Sequence, residues 1–434
     1  MLLKEMETKG IEPDSITYSA AISACEKSAQ WEQAMSLVRD MEAKGVKLNT
    51  IAYSSTISAC GKAGQWQQAL SLMAEMEAKG VQPDTITYST AISACDKGGE
   101  WEQAINLLRM MDTKGIKTDT VSYTTAISAC GKAGKWEPAL SLIKEMEAKG
   151  VARDTIAYNA AISACDKGGE WEQALRLIQE MESKGIQRDV ITYSSATSAC
   201  SKAGEWEPAL RLIKEMEDQG IKPDKTTYNG AILACGKAGE WGQALRLVRE
   251  MESKGIQLST STYSAAISAC GKAGEWEPAL TLLSEMAARG VGPDTFTYSA
   301  VISACDKGGK WEQALKLIEE MDARGIQRDS VSYNAAISAC GTGGKWEQAL
   351  GLIREMETKG IQGDTLTYNA AILACEKSCI WDQGLRLALE MEARGVPLDS
   401  ISYSAAITAC EKVGRPDAIS LSAHQTPLFH RPAA

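Results

Sequence analysis

Phenylalanine and histidine are nearly missing, with two of each in 434 residues. Two histidines leave little room for general acid–base catalysis or a His-rich metal site. No apolar run approaches the roughly 18 residues that a membrane span needs. Nothing at the start reads as a signal or transit peptide. P-loop, nucleophile-elbow and zinc-deaminase motifs are missing too. No alternation of apolar and polar residues appears, so no strands are expected. The formal net charge of −10 argues, taken alone, against nucleic acid. A hydrophobic content of 44% is enough for a large core, so the chain is not disordered.

What is present is repetitive. Length alone would predict about three domains, yet the chain holds 12 Tyr, 11 Trp and 13 Cys. Near-equal counts of three rare residues imply one unit copied about a dozen times. Tyrosine recurs every 35 residues from Tyr18 to Tyr403, tryptophan from Trp31 to Trp381, and cysteine from Cys25 to Cys410. Only Cys379 falls outside the pattern. Eleven full units fill 15–399. Residues 1–14 are a partial unit, a second helix only; 400–414 are the first helix of a twelfth; 415–434 form an irregular tail with His424 and His430. Met1 lies inside a second helix, with Met6, Gly10 and Asp14 at their repeat places, which predicts a truncated start.

With Ser15 as position 1, positions 4, 7, 8 and 11 hold Tyr18, Ala21, Ile22 and Cys25, one face of a helix. Positions 17, 20, 21, 24 and 27 hold Trp31, Ala34, Met35, Val38 and Met41, a second helical stripe. Pro138, Pro208 and Pro278 lie two residues after a Trp, so the second helix starts near the Trp. Gly45, at position 31, suits a left-handed cap. Each unit is a helical hairpin that cannot bury both stripes alone. Stacked copies can. The expected fold is all-α: an α-solenoid superhelix of about twelve 35-residue helix-turn-helix repeats with a concave face. The cysteines read as small core thiols in a reducing compartment, because neighbouring helices pack about 8–10 Å apart and a disulfide needs Cα atoms within about 7 Å. Cys375 and Cys379 lack further ligands for zinc. The tryptophans read as core.

Some polar positions repeat without a packing reason. Position 5 is Ser19, Ser54, Ser89, Thr124, Asn159, Ser194, Asn229, Ser264, Ser299, Asn334, Asn369 and Ser404. A merely solvated site would also admit Glu, Lys, Gln or Ala. The restriction to short hydrogen-bonding side chains points to a partner, with a first-turn helix bond as the plainer explanation. Position 35 is Asn49, Asp84, Asp119, Asp154, Asp189, Asp224, Ser259, Asp294, Asp329, Asp364 and Asp399. Helix N-capping alone would select the same residue types. Position 13 is Lys27, Lys62, Lys97, Lys132, Lys167, Lys202, Lys237, Lys272, Lys307, Lys377 and Lys412, interrupted only by Thr342. A cation there complements the helix dipole. Repeated along one face, it also makes a basic ladder, while the acidic excess (Glu180, Glu182 and their equivalents) falls mostly on the second helix. Screening beyond about 8–10 Å lets an acidic chain carry a cationic groove.

The unit TIAYSSTISACGKAGQWQQALSLMAEMEAKGVQPD resembles the pentatricopeptide repeat, with Tyr at 4, Lys at 13, Gly at 15, Ala-Leu at 20 and 21, Met at 27, Gly at 31 and Pro-Asp at 34 and 35. The tetratricopeptide pattern is absent. The near-identical copies are similar to plant and algal organellar P-type arrays. The resemblance implies single-stranded RNA as partner, with positions 5 and 35 together reading one base per repeat. It further implies that Asn with Asp prefers U, Ser or Thr with Asp prefers G, Ser with Asn prefers A, and Asn with Ser prefers C. The eleven units then spell 5′-AGGGUGCGGUU-3′. Position 2 would sandwich the bases: Ile16, Ile51, Ile86, Val121, Ile156, Ile191, Phe296, Val331, Leu366 and Ile401. Ordinary packing at a helix start is the alternative, and Thr226 and Ser261 break the apolar pattern. The position-13 lysines would meet phosphates.

The expected function is a non-enzymatic adaptor, without cofactor, metal or membrane. It would act in processing, mRNA stability, splicing or translation of transcripts in chloroplast or mitochondrion. The competing readings are a protein-binding scaffold, which would need a groove varied in size and hydrophobicity, and a protein whose catalytic domain is lost.

Overall fold

The structure, a computed structural model, describes residues 2–412, without the side chains of Leu2, Lys4, Glu7, Trp381, Ala405, Ala406 and 409–412. The side chains of Cys410 and Lys412, and the tail with His424 and His430, therefore lie outside the described residues. Twenty-four α-helices run through the described residues, with no strand among them. None is long and apolar enough to cross a membrane.

The fifth repeat shows why the chain folds this way. Its first helix, Thr155–Gly168, starts where Asp154 accepts the Ala157 N–H at 2.9 Å. Gly169 then turns the chain at φ +80°. The second helix runs from Trp171 to Ser183. It ends as Gly185 takes φ +66° and the Ile186 N–H reaches back to the Met181 carbonyl at 2.9 Å. The left-handed position after the first helix is held by Ala29 and Cys379 in two repeats, where a side chain is strained.

Tyr158, Ile162 and Cys165 from the first helix meet Leu177, Ile178 and Met181 from the second, all buried. Each such apolar side chain contributes about 1.5–3 kcal/mol by leaving water. Burial pushes the Cys130 and Cys165 thiols up to about 12, so they stay protonated. The Tyr158 hydroxyl leaves the core at one end and donates to Glu180 at 2.8 Å. Lys184 pairs with the same Glu180 and, at 2.9 Å, with Glu147 of the preceding repeat. Equivalent pairs recur, such as Lys149 with Asp112 and Arg289 with Glu252.

The described helices form two compact bodies. One runs to Ala203 and adds Arg211–Pro223; the other holds Gly204–Leu210 and the residues from Asp224 onward. Within each body, first helices pack on the first helices of neighbouring repeats. Second helices pack on their own first helix and on the next one. Each body is thus an α-solenoid of stacked hairpins, whose first helices form one continuous layer.

Candidate nucleic-acid interface

In each body the edge of the first-helix layer, at the helix N-termini, collects the residues that do not pack. Ile16, Ile51, Ile86, Val121, Ile156, Ile191, Phe296, Val331, Leu366 and Ile401 are 59–74% exposed. Packing therefore does not explain them. Thr226 and Ser261 continue the row, also exposed. Single exposed aliphatics are ordinary, but a regular row of them marks a contact surface.

Three residues beyond each row member, position 5 is buried or half-buried, except Ser404, which is exposed. It meets position 35 of its own repeat in five cases. Ser19 donates to Asn49 at 3.3 Å and Ser299 to Asp329 at 3.4 Å. The Asn159 amide reaches both Asp189 oxygens at 3.0 and 3.2 Å. Asn334 does the same to Asp364 at 3.2 and 3.3 Å, and Asn369 to Asp399 at 3.2 and 3.1 Å. Elsewhere the local helix bond wins: Ser54 and Ser194 donate to carbonyls three residues back, both at 3.2 Å. Ser89 and Ser264 contact the next repeat, at Ser122 (2.9 Å) and Thr297 (2.7 Å), and Ser89 also lies 2.7 Å from the Thr85 carbonyl of its own helix.

Position 35 also caps the following helix. Asp84, Asp119, Asp154, Asp224, Asp294, Asp329 and Asp364 each accept a backbone N–H, as does Asn49. Capping and pairing thus coexist on one side chain. Burial alone would raise the Asp189 carboxyl, but the Thr192 N–H and the Asn159 amide outweigh it and hold it below its ordinary range. The Ser402 N–H holds Asp399 down in the same way. Both stay ionised at neutral pH.

Sequence reasoning missed position 3. In every repeat that follows a position-5 asparagine, its hydroxyl bonds that asparagine. Thr192 donates to the Asn159 carbonyl at 2.6 Å, Thr262 to Asn229 at 2.6 Å, Thr367 to Asn334 at 2.5 Å and Ser402 to Asn369 at 2.5 Å. The signal was there: a Thr or Ser follows every position-5 Asn at a distance of 33 residues.

The described position-13 lysines are exposed, and most reach one repeat backwards. The amines of Lys167, Lys272, Lys307 and Lys377 donate to the carbonyls of Lys132, Lys237, Lys272 and Thr342. They cap the preceding first helix, as its dipole favours. Lys62, Lys132 and Lys202 face a carboxylate as well, Glu26 at 3.1 Å, Asp96 at 2.6 Å and Asp166 at 3.2 Å. An ammonium has three donors, so a carbonyl bond leaves two for a phosphate.

Residues 117–277 and 259–426 match the family model of the pentacotripeptide-repeat region of PRORP. Residues 48–97 match a PPR repeat family model, and 16–46 and 86–116 match the PPR repeat. The first match alone spans well over half of the chain. The chain belongs to the pentatricopeptide-repeat family. Searched against curated proteins, it has no match. Among solved structures it is similar to the pentatricopeptide repeat protein PPR10 from maize, with 22% identity, a TM-score of 0.49 and coverage of 99% of this chain and 71% of that one. It is also similar to PPR10 in complex with an 18-nt psaJ RNA element, at 21%, 0.46, 100% and 72%. For yeast Rmd9p in complex with a 16-nt target RNA the values are 10%, 0.37, 92% and 90%.

Two further details of this pentatricopeptide array concern its helix junctions. The described tryptophans are half-buried at the junction between repeats, not central in the core as expected. Their rings fill space that small residues leave: a Cβ on Gly98 would lie 2.3 Å from the Trp66 ring. Lys345 lies 4.6 Å from the Trp311 centroid, at cation–π distance.

The second is Asp306. Its counterparts Asp96 and Asp166 face lysines, but Thr342 interrupts the lysine row opposite Asp306. Burial raises its carboxyl pKa, against the hydroxyls of Ser338 and Thr342. A raised folded pKa means the ionised group destabilises the fold. That cost is absent below the ordinary carboxylate range and full above the raised pKa. Asp306→Asn should therefore raise the melting temperature at neutral pH and leave it unchanged in acid. Equal melting shifts at both pH values would contradict this.

Proposed function

We propose that this protein binds single-stranded RNA and reads about one base per repeat, without catalysis of its own. The observation that carries the reading is one repeated constellation. An exposed aliphatic at position 2 stands beside a hydrogen-bonding pair at positions 5 and 35, along the first-helix edge. Exposed apolar faces suit stacking against bases, and short donors and acceptors suit their edges. The eleven full repeats of 15–399, flanked by a partial repeat before and a first helix after, would cover about eleven nucleotides. Position 2 would hold bases apart, positions 5 and 35 would choose them, and the lysines left by their carbonyl bonds would meet phosphates. The proposed target is 5′-AGGGUGCGGUU-3′. Family membership supports a role in organellar RNA processing, stability, splicing or translation, in chloroplast or mitochondrion.

The test is binding to that RNA and to permuted controls of equal composition. Tighter binding to the proposed order supports the reading. Equal affinity for all orders removes the base assignment, and no RNA binding at all would favour a protein scaffold.

A further inference from the structure

We infer that the position-3 hydroxyl is a positioning residue that fixes the orientation of the position-5 asparagine in the preceding repeat, and with it which base that repeat accepts. This rests on the RNA reading above. All four asparagines at position 5 show the contact, with oxygen–oxygen distances of 2.5–2.6 Å. Two oxygens that close must share a proton, and an amide oxygen has none to give. The hydroxyl therefore donates, so the asparagine oxygen faces the hydroxyl and its nitrogen faces away. The hydroxyls of Thr192, Thr262, Thr367 and Ser402 belong to fully buried residues. Each hydroxyl already accepts a backbone N–H, from Asp189, Ser259, Asp364 or Asp399 at 3.0–3.3 Å, so a flipped amide would press a second donor on it. In three repeats it would also set an amide oxygen against the aspartate, whose oxygen the hydroxyl itself approaches to 2.8–2.9 Å.

Fixing the amide fixes the order of donor and acceptor offered to a ligand. Uracil presents an N–H between carbonyls. Cytosine presents an acceptor nitrogen beside an amino group. Only an amide that cannot turn distinguishes the two by its order.

The repeats differ in how many groups hold the amide. Asn159, Asn334 and Asn369 are held by the hydroxyl and by an aspartate. Asn229 is held by Thr262 alone among the described residues, because Ser259 turns to Ser261 and Thr262, each at 2.9 Å. Two repeats lack the hydroxyl altogether. Position 3 is Ala52 after Ser19 and Ala157 after Thr124, and the Thr124 hydroxyl is buried without a partner.

The experiment reads affinities for a panel of RNAs carrying each of the four bases in turn at every place of 5′-AGGGUGCGGUU-3′. Thr262→Val should cut the C-over-U preference at the base facing the seventh repeat from about tenfold to within about twofold. Preferences at the other bases should stay. Thr262→Ser should restore the preference. Thr192→Val should keep most of the U preference, because Asp189 still holds Asn159. Thr87→Val is the structural control: Thr87 bonds Asp84 at 2.7 Å and, among the described residues, makes no hydrogen bond to a position-5 side chain. It should change no preference. Ala157→Ser should sharpen the preference at the fourth base, a gain that misfolding cannot mimic. The inference is overturned if Thr262→Val keeps the wild-type preference, or weakens all RNAs alike. A wild-type protein that binds RNA with no base preference anywhere overturns the code reading and this inference with it.

Discussion

Tyr158→Ala should destabilise its repeat by about 3–5 kcal/mol, the range for emptying a large aromatic site. Tyr158 is fully buried, and its hydroxyl reaches Glu180 on the second helix of its own repeat. The loss has a second part. Burial and the nearby Glu180 push the Tyr158 hydroxyl up to about 12, so it remains a donor to that carboxylate. Tyr158→Phe removes only this bond, and about 1–2 kcal/mol is expected, since the Glu180 side keeps Lys184 and contact with water. In a linear array the damage stays local. Amide hydrogen exchange should therefore show protection lost in the fifth repeat and its neighbours, with distant repeats unchanged. Equal small effects for Ala and Phe would mean that burial of the ring does not hold the repeat together.

RNA affinity should fall steeply with salt, by less than a count of lysines implies. Ten position-13 lysines have described side chains, and three of them, Lys62, Lys132 and Lys202, already face carboxylates. Counting only Lys27, Lys97, Lys167, Lys272, Lys307 and Lys377, at about −0.7 per phosphate, the slope of log affinity against log salt should be about −4. Between about 50 and 200 mM salt that is a loss of about three-hundredfold. A slope near zero would remove the lysines from the interface. The net charge of −10 does not oppose this, because acids such as Glu180 and Glu147 are engaged by Lys184 away from the lysine row.

The fold was legible because every repeat spends the same residues on the same tasks. Tyr, Ile and Cys at helical spacing, Trp at a helix start and Gly where φ is positive place the hairpins to within a residue or two, as Thr155–Gly168 and Trp171–Ser183 show. The candidate site was legible in part. Position 2 could be packing or surface, since an isoleucine at a helix start serves either, and only its exposure decides. The lysines were visible, but not that their amines cap a helix 35 residues earlier in the chain, as Lys272 does at Lys237. Nor was it visible that a position-12 carboxylate, such as Asp96, faces the lysine of the next repeat. Position 3 was hidden for another reason. A threonine in a first helical turn bonds its own cap in any helix, and its second contact, to Asn159 or Asn229, crosses to another repeat. A sequence read within one unit cannot show contacts between units.

The most direct measurement is a base swap at Asn159, whose amide meets Asp189 beside the exposed Ile156. Wild type and Asn159→Ser would be titrated with RNAs carrying U or G at the fifth base of 5′-AGGGUGCGGUU-3′. The wild type should favour U and the variant G, each by about 1–3 kcal/mol, with the other ten bases read as before. An unchanged preference at the fifth base would contradict base reading by positions 5 and 35.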